Sequence, residues 1–295
     1  MRIARNRAEL EDALKALRQG GARLALVPTM GALHDGHLGL LHIAREHADL
    51  TAASIFVNPT QFGPNEDFAA YPRTEAADLD ALRSAECDLA YLPDAAEMYP
   101  PGDDTRVVPG VLAEPLDGAA RPGHFAGVCT VVTKLFAHVR PDAAVFGEKD
   151  YQQLLVLTRM TRDLGLGVRV IGAPIARAPD GLALSSRNQY LSEAERARAV
   201  SLPLILAKVA GRIRGGVAAN TAVAQGLSDL EAAGLVPDYL EVRASEDLAP
   251  APSRPLRRAE ADAMRLFAAV RVGRTRLIDN LPIAQPLATG PDQGV

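Results

Sequence analysis

The feature that most constrains the fold is an alternation of short apolar runs with longer helical runs through the first 175 residues. The apolar runs are predicted to be strands and lie at residues 23–28, 51–59, 87–93, 143–150 and 167–173. The runs with helical character lie between them, at residues 37–48, 74–85, 127–139 and 151–164. Strands that alternate with helices in this way are typical of βαβ units, which build a parallel sheet.

The strands are continuously apolar, and this predicts a sheet that is covered by helices on both faces. Right-handed crossovers between parallel strands then produce a doubly wound α/β sheet. Ligands of such sheets bind outside the carboxyl ends of the strands. We therefore expect a Rossmann-like domain over residues 1–175, with its site at that edge of the sheet.

The pattern changes after about residue 176, where a smaller α+β domain is predicted over residues 176–281. Its helices are predicted at residues 192–213, with a break near Pro203, and at residues 220–234. Ser192 and Glu195 have the spacing of a capping box. The predicted strands lie at residues 237–243, 264–272 and 275–281, the last two joined by a turn at Gly273. Residues 282–295, rich in Pro and Gly, are predicted to be a loose tail.

Composition and charge exclude several classes of function. The net charge is −4, from 32 basic and 36 acidic residues, which does not favour bulk attraction to nucleic acid. Cys87 and Cys129 are the only cysteines, too few for a disulfide framework or a cysteine metal site. The N-terminus lacks an apolar segment of signal-peptide type, and the sequence has no run long enough for a membrane span. We expect a cytoplasmic protein with no membrane or nucleic-acid partner.

The common nucleotide-binding motifs are absent. Gly31 and Gly36 follow the first long strand but do not match GxGxxG. No lysine stands in a P-loop, and the sequence has no GxSxG elbow. The sheet suits a nucleotide, yet another phosphate-binding arrangement is needed.

His34 and His37 form an HxxH pair where a strand is predicted to turn into a helix. A helix start attracts anions, and imidazoles add hydrogen bonds to phosphate oxygens. A second interpretation is a surface pair with an N-cap role. A third is a metal site, since Asp35 lies between the histidines, although the spacing is not that of a zincin.

The segment PTMGALHDGH (28–37) resembles the HIGH-type motif of the nucleotidyltransferase superfamily. Four further segments resemble blocks of the pantothenate synthetase, or pantoate–β-alanine ligase, family: residues 56–74, 121–136, 146–154 and 180–191. The resemblance implies ATP-dependent ligation of pantoate and β-alanine through a pantoyl adenylate, with release of AMP and pyrophosphate, in the pathway to coenzyme A. It also implies Mg²⁺ and a homodimer.

The resemblance also implies site residues. Those implied at the phosphates, and so in catalysis, are His34, His37, Lys149 and Arg187. Those implied at ATP more widely are Met30, Gly31, Ala32, Leu33, His34, Asp35, Gly36, His37, Gly147, Glu148, Lys149, Asp150, Ala176, Leu184, Ser185, Ser186 and Arg187. Ala176 stands where the family often has Val, and Leu184 where it often has Met.

Gln61 and Gln153 are implied at pantoate and β-alanine. Neutral amides suit a substrate that carries hydroxyls beside a carboxylate, because each amide both donates and accepts. Asn58, Arg121 and His124 are further candidates for the pocket. Mg²⁺ is expected to be held mainly by the triphosphate, with Asp78 and Asp150 as candidate carboxylates.

Alternatives remain for the residues and for the function. Without the surrounding blocks, Lys149 would be interpreted as a solvated corner residue, residues 185–188 as a simple turn, and the two glutamines as ordinary polar positions. An alternative enzyme is another nucleotidylyltransferase acting on a small phosphorylated substrate. A non-catalytic nucleotide sensor and a nucleic-acid-binding synthetase fragment are further alternatives.

Overall fold

The computed structural model describes residues 1–64 and 66–284, which form two compact units. The N-terminal unit comprises Met1–Glu148 and Gln152–Pro174. The C-terminal unit comprises Lys149–Tyr151 and the chain from Ile175 onward. The sequence predicts residues 149–151 in the first domain, whereas the structure groups them with the second unit.

The N-terminal unit contains a six-stranded parallel sheet within the described residues. Its strands are β1 (Arg2–Ala4), β2 (Leu24–Thr29), β3 (Leu50–Ile55), β4 (Leu89–Tyr91), β5 (Ala143–Gly147) and β6 (Arg169–Ala173). Their order is β1-β4-β3-β2-β5-β6, and each neighbouring pair is parallel. The predicted doubly wound α/β sheet is confirmed.

Helices cover both faces of this sheet. They are α1 (Arg7–Leu17), α2 (Asp35–His47), α3 (Glu75–Ser84), α4 (Ala95–Met98), α5 (Asp117–Ala120), α6 (His124–Val139) and α7 (Tyr151–Asp163). On one face, Leu41 and Ala44 of α2 pack in a buried cluster with Val27 of β2. On the other face, Leu24 and Leu26 of β2 are buried, and α6 is the neighbouring helix.

The strand order places a switch point between β2 and β5. The chain leaves β2 toward β3 on one side, and leaves β5 toward β6 on the other side. The connections after β2 and β5 therefore diverge, which opens a crevice at the carboxyl ends of these strands. The segments that follow these strands begin at residues 30 and 148.

The C-terminal unit is the predicted smaller α+β domain. Its strands β7 (Val236–Ala244), β8 (Met264–Val272) and β9 (Thr275–Pro282) form an antiparallel sheet in that order. Its helices are α8 (Glu193–Ala199), α9 (Ser201–Arg214), α10 (Ala219–Ala232) and α11 (Arg258–Asp262). Leu206 and Val209 of α9 pack in one buried cluster with Leu266 and Val270 of β8.

The predicted helix over residues 192–213 is two helices that meet at Val200, so the predicted position of the break is wrong. Pro203 lies in the first turn of α9, where its missing N–H costs no helical hydrogen bond. The predicted capping box is confirmed: Ser192 Oγ accepts from Glu195 N at 3.3 Å, and Glu195 Oε2 accepts from Ser192 N at 2.9 Å.

The hairpin between β8 and β9 turns at Gly273, as predicted, with a φ of 57°. The predicted loose tail is wrong at its beginning, because Pro282 belongs to β9 and Ile283 is fully buried. Residues 285–295 of that segment lie outside the described residues. Within the described part of the chain, no helix is both long enough and apolar enough to cross a bilayer.

Candidate active site

The loop after β2 is held by a buried carboxylate. Asp78 of α3 is 2% exposed, and its Oδ2 accepts from Ala32 N at 3.0 Å while its Oδ1 accepts from Leu33 N at 2.8 Å. Gly31 has a φ of 82°, and a Cβ there would lie 2.9 Å from Asp78 Oδ2, so the loop requires glycine. Asp78 thus organises the loop backbone, which corrects its suggested role as a magnesium ligand.

The two imidazoles lie together at the start of α2. His34 is the N-cap residue, and its backbone N–H donates to Nδ1 of His37 at 3.4 Å. The two ring centroids are 4.0 Å apart. Because His37 Nδ1 accepts, the neutral ring carries its proton on Nε2. Asp35 and Gly36 form the first turn of α2, and Asp35 is exposed.

Gln61 is joined to this loop through Met30. Its Nε2 donates to Met30 Sδ at 3.2 Å, and its Oε1 accepts from Asn58 Nδ2 at 3.0 Å. Asn58 is 1% exposed, and its Oδ1 accepts from the Tyr99 hydroxyl at 2.7 Å and from Thr60 Oγ1 at 2.9 Å. The amide of Gln61 is thereby oriented by a buried network.

Helix α6 approaches the backbone beside Gln61 closely. A Cβ on Gly127 would lie 2.3 Å from Thr60 O and 2.7 Å from Gln61 N, distances that no side chain tolerates. Asn58 Nδ2 also donates to Gly127 O at 3.2 Å. Because Gly127 has no side chain, α6 can pack directly against the backbone of Gln61, and this contact fixes the position of Gln61.

His124 and Arg121 support Gln61 from the other side. His124 Nδ1 lies 2.8 Å from Gln61 O, and its Nε2 lies 3.0 Å from Arg121 Nη1. A carbonyl oxygen only accepts and a guanidinium only donates, so His124 is a neutral ring with its proton on Nδ1. Burial, and then the charge of Arg121, lower the pKa of His124 to about 4, in agreement with this tautomer.

Arg121 also forms a two-armed ion pair with Glu66. Its Nε donates to Oε1 at 2.8 Å and its Nη2 donates to Oε2 at 2.6 Å. Burial acts to raise the pKa of Glu66, but the hydrogen bonds and charge of Arg121 hold it below its usual value. Glu66, Thr60 and Tyr99 were not predicted as site residues, since no spacing in the sequence marks them as a network with Gln61.

The two glutamines at the start of α7 differ in their surroundings. Gln152 is 5% exposed; it accepts from Asp117 N at 3.0 Å and donates to Leu112 O and Pro115 O. Gln153 is half-buried and has no side-chain hydrogen bond with the described residues. Gln152 is therefore structural, whereas the amide of Gln153 is available for a ligand.

The corner after β5 contains the remaining candidates around Lys149. Gly147 ends β5, and Glu148 follows as a half-buried residue of the N-terminal unit. Lys149 and Asp150 belong to the C-terminal unit, where Lys149 Nζ lies 3.7 Å from Asp150 Oδ1. The lysine side chain is only 18% exposed, so it is not a freely solvated corner residue.

A tight hairpin brings the other candidates of the C-terminal unit together. Leu184 N donates to Ala176 O at 2.9 Å, so these two predicted ATP-contacting residues are neighbours. Ser185 follows and caps a 3₁₀ turn, because its Oγ accepts from Arg187 N at 3.3 Å. Ser186 is 6% exposed, whereas Arg187 is half-buried.

The predicted site residues thus form two groups, one in each unit. The N-terminal unit brings together the loop at residues 30–37 with Asn58, Gln61, Arg121 and His124. The C-terminal unit contains Lys149, Asp150 and the hairpin that ends in Ser185, Ser186 and Arg187. In the described part of the chain, no group of three or more His, Cys, Asp or Glu side chains is arranged to hold a metal ion.

The family model and the relatives that resemble this chain agree on one family. The model of the pantoate-beta-alanine ligase family matches residues 2–282. The chain is 52% identical to pantothenate synthetase of Acidiphilium cryptum over 96% of this chain and 100% of the relative. It is 50% identical to pantothenate synthetase of Caulobacter vibrioides over 95% of this chain and 98% of the relative.

Solved structures agree with this similarity and match the chain along nearly its whole length. The crystal structure of pantothenate synthetase from Thermus thermophilus has a TM-score of 0.89, is 45% identical, and covers 97% of this chain and 100% of its own. Pantoate-beta-alanine ligase from Francisella tularensis, solved with beta-gamma ATP and beta-alanine, has a TM-score of 0.80 at 31% identity over 98% and 100% of the two chains. The chain belongs to the pantoate–β-alanine ligase family.

Proposed function

We propose that this chain ligates pantoate and β-alanine to pantothenate, with ATP converted to AMP and pyrophosphate. The observation that carries the proposal is that a hydrogen bond joins two parts of the N-terminal unit. These are the imidazole pair at the start of α2 and the buried amide network of Gln61, linked through Met30. Family membership and the beta-gamma ATP and beta-alanine bound to the Francisella tularensis relative support the same reaction.

In the first step, a carboxylate oxygen of pantoate attacks the α-phosphorus of ATP. The bond from that phosphorus to the bridging oxygen breaks, and pyrophosphate leaves with the electron pair. This step brings two anions together, so the site must supply positive charge and hydrogen-bond donors. In this proposal, His34 and His37 contribute ring N–H donors at the crevice between β2 and β5, and the N-terminus of α2 contributes partial positive charge.

Pantoate is held by neutral hydrogen-bonding groups. Gln61 is oriented by Asn58 and His124, while the amide of Gln153 has no hydrogen bond to the described residues. An amide both donates and accepts, which matches hydroxyls beside a carboxylate. Fixing pantoate in this way places its carboxylate for attack, which lowers the entropic part of the barrier.

In the second step, the amine of β-alanine attacks the acyl carbon of the adenylate. The amide bond forms, the bond from the acyl carbon to the phosphate oxygen breaks, AMP leaves, and the amine loses a proton. No enzyme nucleophile takes part. Burial raises the pKa of Cys129 to about 12 and also raises the pKa of Cys87, so neither thiol is suited to nucleophilic attack.

The C-terminal unit supplies further groups for the phosphates. Lys149 and Arg187 are the cations proposed to contact the triphosphate, and Ser185 and Ser186 add hydroxyl donors. In this proposal, the hairpin at residues 176–187 carries the serines and the arginine that contact the phosphates.

Magnesium bound with the triphosphate would neutralise charge on the phosphate oxygens. The fit rests on Asp150, whose carboxylate is 46% exposed beside Lys149. Mg²⁺ in such sites uses one or two carboxylates together with phosphate oxygens and water. Asp150 would thus contribute an oxygen ligand, whereas both oxygens of Asp78 already hold the loop after β2.

Two properties of the working enzyme complete the proposal. It acts in the cytoplasm, where its ATP is available, and it acts as a homodimer. Light scattering of the purified protein measures its mass directly. A species of about 31.3 kDa, the mass of one chain, would contradict the dimer.

A product assay tests the proposed reaction. The purified chain is incubated with ATP, Mg²⁺, pantoate and a panel of small amino acids. We expect AMP, pyrophosphate and an amide that forms with β-alanine. A product that keeps the nucleotide attached would instead indicate a nucleotidylyltransferase acting on a small phosphorylated substrate. ATP binding without pyrophosphate release would indicate a nucleotide sensor.

A further inference from the structure

Strand β9 carries two adjacent buried polar residues that the proposed reaction does not use. Asp279 and Asn280 are each 2% exposed. Successive side chains of a strand point to opposite faces, so these two face different surroundings. Buried polar groups are normally hydrogen-bonded, and each of these two side chains holds a specific partner in place.

Asn280 holds the backbone of the segment Lys149–Tyr151. Its Nδ2 donates to Lys149 O at 2.9 Å, and its Oδ1 accepts from Nη1 of Arg265. Arg265 is 7% exposed, and its guanidinium carbon lies 3.8 Å from the ring centroid of Tyr151. The segment is therefore attached at its first residue by a hydrogen bond and at its last residue by a cation–π contact.

Asp279 holds the hairpin that ends at Ser185. Its two oxygens accept from Arg177 Nη1 at 2.7 Å and from Arg177 Nη2 at 2.9 Å. Arg177 Nη1 also donates to Gly181 O at 3.0 Å, across the turn of the hairpin. A two-armed arginine–carboxylate pair fixes orientation as well as distance.

We propose that Asp279 and Asn280 are positioning residues for the two phosphate-binding cations. Asn280 sets the place of Lys149, and Asp279 sets the hairpin from which Arg187 follows. The inference rests on the proposed function, in which Lys149 and Arg187 contact the triphosphate. Lysine and arginine have long flexible side chains, so preorganised charge requires that their backbone is fixed.

The substitution Asn280→Asp tests this role with a side chain of nearly the same size. It keeps an oxygen for Arg265 and replaces the donor to Lys149 O by an acceptor, which breaks that one link. We expect pantoate-dependent ATP–pyrophosphate exchange to fall by about tenfold or more, since small misplacements of a catalytic group are costly. The melting temperature is also expected to fall, because the buried Lys149 O loses its donor, so exchange is measured well below the unfolding transition of the variant. Asn220→Asp, at an exposed position of α10, is the matched control and should change neither.

A double-mutant cycle separates positioning from a general structural effect. If Asn280 acts through Lys149, then Asn280→Asp added to Lys149→Ala should slow exchange by less than about twofold further. Likewise, if Asp279 acts through Arg187, then Asp279→Asn added to Arg187→Ala should slow exchange by less than about twofold further. The inference would be overturned if the losses of exchange rate in the single variants multiplied in both double variants, or if Asn280→Asp exchanged at the wild-type rate. The proposed function would still stand.

Two further results complete the design. If the wild-type chain shows no pantoate-dependent exchange, the proposed function fails and this inference fails with it. If Asn280→Asp does not fold, Tyr151→Leu takes its place, because it removes the ring beside Arg265 and leaves Asn280 intact. Its effect must also disappear in the Lys149→Ala background, and a multiplicative loss there would refute the role.

Discussion

The carboxylate of Asp78 accepts a hydrogen bond from the backbone N–H of Leu33 at 2.8 Å, although the two residues are 45 positions apart. Together with the bond from Ala32 N, it imposes the shape of the loop between β2 and α2. This loop is where the proposed chemistry needs its donors, so the carboxylate acts on catalysis through the backbone.

Asp78→Asn should therefore lower both stability and activity. One of the two loop amides would face an NH₂ group and lose its acceptor, at a cost of about 1–3 kcal/mol for a buried unpaired group. We expect a lower melting temperature and slower ATP–pyrophosphate exchange. Asp80→Asn, on the same helix with a 76% exposed side chain, is the control. Equal effects of the two substitutions would contradict the role of Asp78.

His37→Ala should lower the adenylation rate by about 10² or more, the usual scale for losing a donor to developing charge. Pantoate-dependent ATP–pyrophosphate exchange measures this step without β-alanine. His42→Ala is the control, since His42 lies on the same helix with a 77% exposed side chain. Exchange near the wild-type rate in His37→Ala would refute the proposed contact with the phosphates.

Arg187→Ala should raise the Michaelis constant for ATP and slow the chemical step together, because a closing loop contributes to both. Steady-state kinetics with each substrate varied in turn provides the measurement. Arg162→Ala, on α7 with a 68% exposed side chain, should leave both constants unchanged. A change confined to the Michaelis constant for β-alanine would show that Arg187 has another role.

Gly127→Ala should displace Gln61. A Cβ at this position would lie 2.3 Å from Thr60 O, and overpacking of this kind costs about 1–3 kcal/mol. We expect a lower melting temperature and a raised Michaelis constant for pantoate. Gly39→Ala, in α2 with no atom within 4 Å of the added Cβ, should instead be neutral or slightly stabilising. Unchanged pantoate kinetics in Gly127→Ala would argue against the proposed binding role of Gln61.

Acid should weaken the fold through His124. Its pKa is about 4 in the folded protein against an ordinary value of 6.5, with burial as the main cause. Between these values the unfolded chain binds more protons, so the free energy of unfolding falls as pH falls from about 6.5 to 4, by at most about 1.4 kcal/mol per pH unit. The pKa of His138 is also lowered to about 4, so it contributes in the same direction.

His124→Asn should reduce that pH dependence, because the amide keeps a donor toward Gln61 O but does not titrate in this range. Denaturant unfolding at several pH values between about 4.5 and 7.5 gives the slope of the free energy with pH. An unaltered slope in His124→Asn would show that His124 does not contribute to acid sensitivity.

The sequence predicts the architecture well where local pattern and packing agree. The apolar run of β8 is predicted at residues 264–272 and lies at Met264–Val272. Prediction is less accurate at the boundaries of elements: α6 begins at His124, three residues before its predicted start, after Gly123 with a φ of 84°. Val200, and not Pro203, separates α8 from α9, because proline is tolerated in a first turn.

The same limit applies to the candidate site. HxxH at a helix start and the neighbouring glycine follow from the sequence alone. The buried partners do not, because Asp78, Glu66 and Tyr99 contact the site from distant segments. The choice between Gln152 and Gln153 does not follow from the sequence either. Only the packing shows that the Gln152 side chain already accepts a hydrogen bond from Asp117 N.

The attachment of Lys149 by Asn280 also has a consequence for synthesis of the chain. The two residues are 131 positions apart, and β9 is the last strand of the described chain. Domains generally fold in order as they leave the ribosome, so the histidine pair is in place long before the lysine is anchored. A polypeptide that terminates before β9 would contain the histidines proposed to bind phosphate but would lack the contact that holds Lys149, and we expect it to show no pantoate-dependent turnover of ATP.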